Sequence, residues 1–261
     1  MTRRQSILKA VPDPDGLPER ERADVETSSD RYASRFPAEI GEHFLEVQAR
    51  AALELLAPWP GARVLEVGGG HAQLAPRLVA SGYQVTVVGS DEVCRARLDR
   101  LLAPGSFEFR ACDLLDLPYP DRSFDVVLAF RLVAHVERWS ELLAEMCRVA
   151  NRAVIVDYPD SRSFNRFYRQ FFKWKQAFEG GSTRTFITFQ PEEIPAEMTR
   201  HGFGRPVVLR ELFVPMVVHR VMGRAGLSRS VERAAAGLGL TRRFGSPSVL
   251  RMERLLTGDW R

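Results

Sequence analysis

The chain has 261 residues, 45% of them apolar and 27% charged, the balance of an ordinary globular protein with room for one large α/β domain. No run of about 18 uninterrupted apolar residues occurs, which excludes a membrane-spanning helix, and no apolar run follows Met1-Thr2-Arg3-Arg4, which argues against a secretory signal. The net charge is +4, and of the 37 basic residues only Lys9, Lys173 and Lys175 are lysine. The excess is modest and forms no long block, so it gives no support to a nucleic-acid partner. Cys94, Cys112 and Cys147 are odd in number and fit neither a zinc spacing nor a disulfide framework, so a reducing, cytoplasmic setting and no metal are expected.

Residues 1–28 carry Pro12, Pro14, Gly16 and Pro18 among charges and are expected to form a flexible arm, with too little apolar surface to offset ordering. From Pro37 to Leu56, apolar residues at Ile40, Phe44, Val47, Ala51 and Leu55 predict a helix, broken by Pro58-Trp59-Pro60-Gly61. Short apolar runs then alternate with helical patterns. Strands are predicted at Arg63–Val67, Gln84–Val88, Phe107–Ala111, Phe124–Phe130 and Ala153–Asp157, and helices at Gln73–Ser81, Glu92–Leu102 and Trp139–Val149. This alternation predicts a mostly parallel sheet with helices on both faces.

After Asp157 the pattern changes. Residues 161–179 combine an aromatic stripe (Phe164, Phe167, Tyr168, Phe171, Phe178) with Arg162, Arg166, Arg169, Lys173 and Lys175. Such a helix could pack as a lid, line an apolar acceptor pocket, or rest on an anionic lipid surface. A helix over Gln190–His201, a strand over Pro206–Phe213, a helical pattern over Pro215–Leu238 and a last strand over Ser248–Glu253 complete a seven-stranded expectation.

The run Val64-Leu65-Glu66-Val67-Gly68-Gly69-Gly70-His71-Ala72 ends a buried strand in glycines, which let backbone approach a ligand where a side chain would clash. A dinucleotide fingerprint would place a small residue at Gln73, and a P-loop would need a lysine; neither is present. Glu66 would repel a pyrophosphate and attract an ammonium group.

With these residues in hand, the chain resembles the class I S-adenosylmethionine (SAM)-dependent methyltransferases, in particular the small-molecule enzymes that include those of quinone biosynthesis. The resemblance spans roughly residues 30–157. It rests on the glycine run, on Cys112 to Phe130 (CDLLDLPYPDRSFDVVLAF), and on Arg131-Leu132-Val133-Ala134-His135-Val136. It implies a Rossmann-like α/β fold with a seven-stranded, mostly parallel sheet and a helical cap. The methyltransferase domain would cover residues 29–261, with cap insertions at about 29–57 and 158–239.

The resemblance also implies roles. Glu66 and the Gly68 backbone would hold the methionine ammonium of SAM, and Gly70 would pass close to the ribose and carboxylate. Asp113 would accept from the adenine amino group with Leu114 packing nearby. Phe130 and Arg131 would line the sulfonium region, and Tyr32 and Arg35 would cap the cofactor. Relatives end the second strand with an acid that grips the ribose; here Gly89 stands there, so Ser90 and Asp91 are the candidates for that grip. His135 is the first candidate for a general base and Tyr158 the second. The implied reaction is methyl transfer to a small, partly apolar acceptor, with O-methylation favoured because a base candidate is present. A non-catalytic SAM-fold binding or sensor protein, and a nicotinamide oxidoreductase on a related sheet, are the alternatives. Oligomeric state cannot be read from the sequence.

Overall fold

The computed structural model describes residues 22–30, 38–161, 187–214, 218–219 and 225–255. The expected aromatic helix over 161–179 falls almost wholly outside them, as do Tyr32 and Arg35.

Seven strands form one sheet: β1 (Arg63–Val67), β2 (Gln84–Gly89), β3 (Glu108–Ala111), β4 (Phe124–Ala129), β5 (Ala150–Tyr158), β6 (Phe203–Leu212) and β7 (Ser246–Arg254). Their spatial order is β3-β2-β1-β4-β5-β7-β6. The first five are parallel, and β7 runs antiparallel between β5 and β6. Strand order therefore reverses between β1 and β4. In open α/β sheets that reversal opens a crevice at the carboxyl ends of the strands, where ligands bind.

Alternate strand residues feed two cores. Val64, Val85, Val87, Val126, Leu128, Ala153 and Ile155 face one side. Against them packs α2 (Ala38–Leu56), which follows a short helix α1 (Ala23–Thr27), together with α3 (Ala75–Ala80) and α4 (Ala96–Leu101). Leu65, Val67, Val127, Ala129, Val154 and Val156 face the other side, against α5 (Trp139–Val149) and α6 (Glu193–Arg200). On α5 the buried set Leu142, Leu143, Met146, Cys147 and Val149 follows helical spacing. On α2 the apolar stripe is interrupted: Val47 is half-buried while Gln48 is buried, because Gln48 reaches the end of β5.

Three differences from the sequence pattern have local causes. The helix expected from Gln73 begins only at Ala75, where Pro76 sets the first turn, and ends before Gly82 at φ +83°. The helix expected over Glu92–Leu102 is a 3-10 turn (Glu92–Arg95) capped by Asp91, leading into α4. Two helices follow β6: α7 (Ala225–Gly237) lies within the expected 215–238 pattern, but α8 (Leu240–Phe244) shows no periodicity because five residues between Gly239 and Gly245 are too few to display one.

The last residues of the expected arm are described from Arg22 on and packed from Ala23 on. Ala23, Asp24, Thr27 and Ser28 are all buried, in α1 and the turn after it. Asp30, just beyond, is gripped by Arg97 and Arg100 of α4, each at 2.7 Å, and these guanidinium groups hold its carboxyl below the usual range.

Between α2 and α7 lies a buried polar clamp. His219 Nε2 meets Glu232 Oε1 at 2.9 Å, its Nδ1 meets the Ser228 hydroxyl, and Glu232 also accepts from the Phe213 and Val214 amides. The His219 ring stands edge-on to Phe44 at 5.6 Å. The order Ser-His-Glu is that of a hydrolytic triad, but Ser228 and His219 are 0% exposed, so no substrate reaches the hydroxyl and the group is structural. Substituting His219 with alanine leaves Glu232 and Ser228 without their shared partner and opens a cavity. The expected cost is about 2–4 kcal/mol, read as a lower urea midpoint at unchanged slope.

Candidate functional site

The glycine run folds as a tight turn at the carboxyl end of β1. Gly68 has φ +71°, a conformation glycine adopts without strain, and its amide donates to Val88 O at 2.8 Å, tying the turn to β2. A 3-10 turn covers Gly69–His71, and Ala72 follows at φ +54°. A Cβ on Gly68 would lie 2.9 Å from Leu132 Cδ2, and one on Gly70 would lie 2.6 Å from the Cys94 carbonyl oxygen and overlap Ser28 Oγ.

Glu66 sits beneath this turn, 0% exposed. The nearby Ala75 amide is the one donor that favours its ionised form, neither oxygen makes a well-formed hydrogen bond to the described residues, and burial pushes the carboxyl up to about 8. Among the described residues its ionic neighbour is His71 Nε2 at 3.9 Å. His71 is itself buried, and burial together with the Arg131 charge pushes it down to about 3. A neutral imidazole cannot balance the carboxylate, so among the described residues the buried acid has no counter-ion.

The expected residues do not all gather around it. Ser90 and Asp91 follow β2, but Asp91 Oδ1 accepts from the Val93 amide at 3.0 Å and caps the turn. Asp113 Oδ1 likewise accepts from the Leu115 amide at 2.9 Å. Leu114 is 0% exposed and belongs to the α5-side core, and Phe130 is 1% exposed in the other core, its carbonyl 3.4 Å from His71 Nε2. As for Tyr158, it is 2% exposed and packs edge-on against Phe189 at 6.0 Å. These three side chains pack into the cores at the rim of the crevice. His135 ends the 3-10 turn Val133–His135 after β4 and is half-buried.

The strand end that carries Tyr158 presents a different polar group to the crevice. Asp157, one residue earlier and on the opposite face, accepts from the Arg131 amide at 2.6 Å and from Gln48 Nε2 at 3.2 Å. The Arg131 backbone has φ +57°, a conformation costly for a side-chain-bearing residue, and the Asp157 contact helps hold it. Burial raises Asp157 to about 6 despite these donors. Burial, then the Asp157 charge, raises Glu211 of β6 to about 8.

A fourth acid lies where no motif placed one. Asp24 of α1 is 0% exposed; its Oδ2 accepts from the Ser90 amide at 2.8 Å and its Oδ1 from the Ser90 hydroxyl at 2.5 Å. Cys94 Sγ stands 3.4 Å from Oδ2, and burial and the Asp24 charge push that thiol up to about 12, far from a reactive thiolate. No signal in residues 22–30 marks Asp24; the indirect clue is Gly89, which leaves the end of β2 without an acid of its own. Among the described residues no cluster of His, Cys, Asp and Glu could hold a metal ion.

Sheet order, the antiparallel β7 and the glycine turn over a buried acid define a class I methyltransferase fold. The comparisons agree. Residues 65–155 match the family model described as "Methyltransferase domain". A demethylmenaquinone methyltransferase of Deinococcus radiodurans is 36% identical over 132 residues, covering 47% of this chain and 54% of that protein. An O-methyltransferase of Pyrenophora dematioidea is 29% identical over 119 residues, covering 43% of this chain and 44% of that one. The chain thus matches about half the length of these curated relatives. A magnesium protoporphyrin IX methyltransferase from Synechocystis, solved with bound SAH, superposes with a TM-score of 0.58 at 18% identity, over 87% of this chain and 94% of that one, a likeness of fold. Residues 65–155 thus match a methyltransferase domain, set in a sheet with the class I methyltransferase fold.

Proposed function

We propose that the protein transfers a methyl group from SAM to a small, partly apolar acceptor. The observation that carries this reading is Glu66: a buried acid with no cationic partner among the described residues, beneath a glycine turn that excludes side chains. An unpaired buried charge is costly, and a ligand that brings an ammonium group relieves that cost. The site fits SAM in this respect, and fits a pyrophosphate poorly because the same charge would repel it.

Glu66 and the Gly68 backbone would hold the ammonium, Gly70 the neighbourhood of the ribose and carboxylate, and Asp113 the adenine amino group. Ser90 and Asp91 are the residues at the end of β2 nearest to a ribose grip, and Tyr32 and Arg35 remain proposed caps. When bound, SAM supplies a methyl group on a positive sulfur, already activated toward a nucleophile. The protein's work is then alignment and exclusion of water. Asp157 fixes the Arg131 backbone at the end of β4, and so orients the wall beyond the glycine turn.

For the acceptor, O-methylation is favoured, with His135 as the base that takes the hydroxyl proton. The curated relatives differ here: one is named for demethylmenaquinone, another is named an O-methyltransferase. His135→Asn is expected to lower kcat about 10²- to 10⁴-fold and to flatten the acid limb of its pH profile, with SAH affinity unchanged. An unaltered profile removes the base role.

The experiment that tests the function is turnover of radiolabelled SAM on a panel of phenols, quinols and amines, alongside SAH binding. Gly89 keeps a second reading in view, a non-catalytic SAM-binding protein; SAH binding without turnover on any acceptor would select it. Among the described residues no helix is long and apolar enough to cross a membrane. Whether the 161–179 segment touches lipid belongs with the choice of an apolar acceptor and is tested by flotation with anionic vesicles.

A further inference from the structure

The geometry points to α1 as a built-in competitor of the cofactor: the segment Ala23–Ser28 occupies the glycine cleft and must leave it before SAM can bind. The inference rests on the cofactor reading above and adds a gate to it.

Three glycines line the cleft, and α1 or the turn after it stands close to each. The Asp24 Cβ is 3.4 Å from the position of a Gly68 Cβ, Asp24 Oδ2 is 3.3 Å from that of Gly89, and Ser28 Oγ overlaps that of Gly70. Glycine in such a turn gives a ligand room to approach the backbone. Here the protein's own segment takes that room. Two objects cannot fill one space, so the segment and a cofactor lying along the same turn exclude each other.

The docking is specific. Asp24 takes both donors of Ser90, and Ala23 closes the α5-side core. Acids that follow the first glycine turn of such sheets by about 20 residues ordinarily meet a ribose diol. In this chain the corresponding stretch is Gly89-Ser90, and its donors face a carboxylate from 66 residues upstream. Asp24 thus neutralises the polar end of the cleft from within. The Asp30 bridges to Arg97 and Arg100 lie at the surface, where side-chain ion pairs are weak and salt-screened, so they tether the segment without locking it. A site that is open only part of the time binds with an affinity reduced by the open fraction.

The test uses the full chain and SAH. In the wild type, SAH is expected to slow amide hydrogen exchange in residues 66–72 and to speed it in residues 23–28. Asp24→Asn keeps the shape but cannot accept from both Ser90 donors, so SAH should bind about tenfold more tightly, with a faster on-rate. Asp24→Ala should act in the same direction, and each variant's melting curve reports whether it is folded. Weaker or unchanged SAH binding by Asp24→Asn, or slower exchange in residues 23–28 on adding SAH, overturns the gate and makes α1 a wall of the bound site. No SAH binding by either form, with residues 66–72 unaffected, overturns the cofactor reading itself.

Discussion

Glu66→Gln is expected to abolish detectable SAH binding and, at the same time, to raise the stability of the free protein at and above neutral pH. Both effects follow from one buried charge. An acid raised from 4.5 to about 8 holds its proton longer when folded than when unfolded. Its favourable contribution is therefore complete below pH 4.5 and is lost as pH rises toward 8. The full linkage is on the order of 4–5 kcal/mol. A glutamine in its place still buries an unpaired amide and retains part of that cost, which leaves a gain of about 2–3 kcal/mol at pH 8, or about 5–10 °C in Tm. Melting curves of the two proteins should converge near pH 4.5 and separate toward pH 8. Asp157, raised from 3.8 to about 6, gives both proteins the same further loss as pH rises through that range, which cancels in the difference. A variant that loses both stability and binding would make Glu66 a structural strand-end residue.

Gly70→Ala is expected to lower Tm by about 5–12 °C and to remove SAH binding. The added Cβ would meet the Cys94 carbonyl at 2.6 Å and Cys94 Cβ at 2.7 Å as well as Ser28 Oγ. Ser28 can leave with α1, but a backbone carbonyl in the 3-10 turn that leads into α4 cannot yield without moving that turn. Overpacking of that kind costs about 2–4 kcal/mol. Gly61→Ala is the control: its Cβ meets nothing within 4 Å, and only the strain of φ +71° remains, about 1 kcal/mol. Gly70 has no positive φ, so a loss at Gly70 no larger than that at Gly61 would show that the crowding around Gly70 is relieved at little cost.

The central strands were legible because each is a short apolar run closed by a turn. Arg63–Val67 and Trp139–Val149 have the bounds that their sequence patterns predict. Extra length came from pairing that no local pattern contains: β5 runs on to Tyr158 and β7 starts at Ser246 because each is extended by its antiparallel neighbour. In the site, Glu66 was readable from its two-residue offset to Gly68. The burial of Leu114, Phe130 and Tyr158 in the cores was not legible, since a position at or just past a strand end fixes height in the sheet and leaves the facing direction to alternation. Gln48 and Asp24 escaped notice, as did the partners of Asp157, for another reason. Gln48 pairs with Asp157 across 109 residues and Asp24 with Ser90 across 66, and no periodicity or motif records a polar contact at such range.

The most direct measurement is calorimetric titration of the full chain with SAH between pH 6 and pH 9, with NADH as the competing ligand. An ammonium bound by Glu66 needs the carboxylate ionised, so SAH should bind one to one, with an affinity that climbs about tenfold per pH unit up to about 8 and then levels. NADH should give no heat of binding. Absence of SAH binding across the whole range, or saturable binding of NADH in its place, would contradict the assignment of the glycine turn and its buried acid to a sulfonium nucleoside.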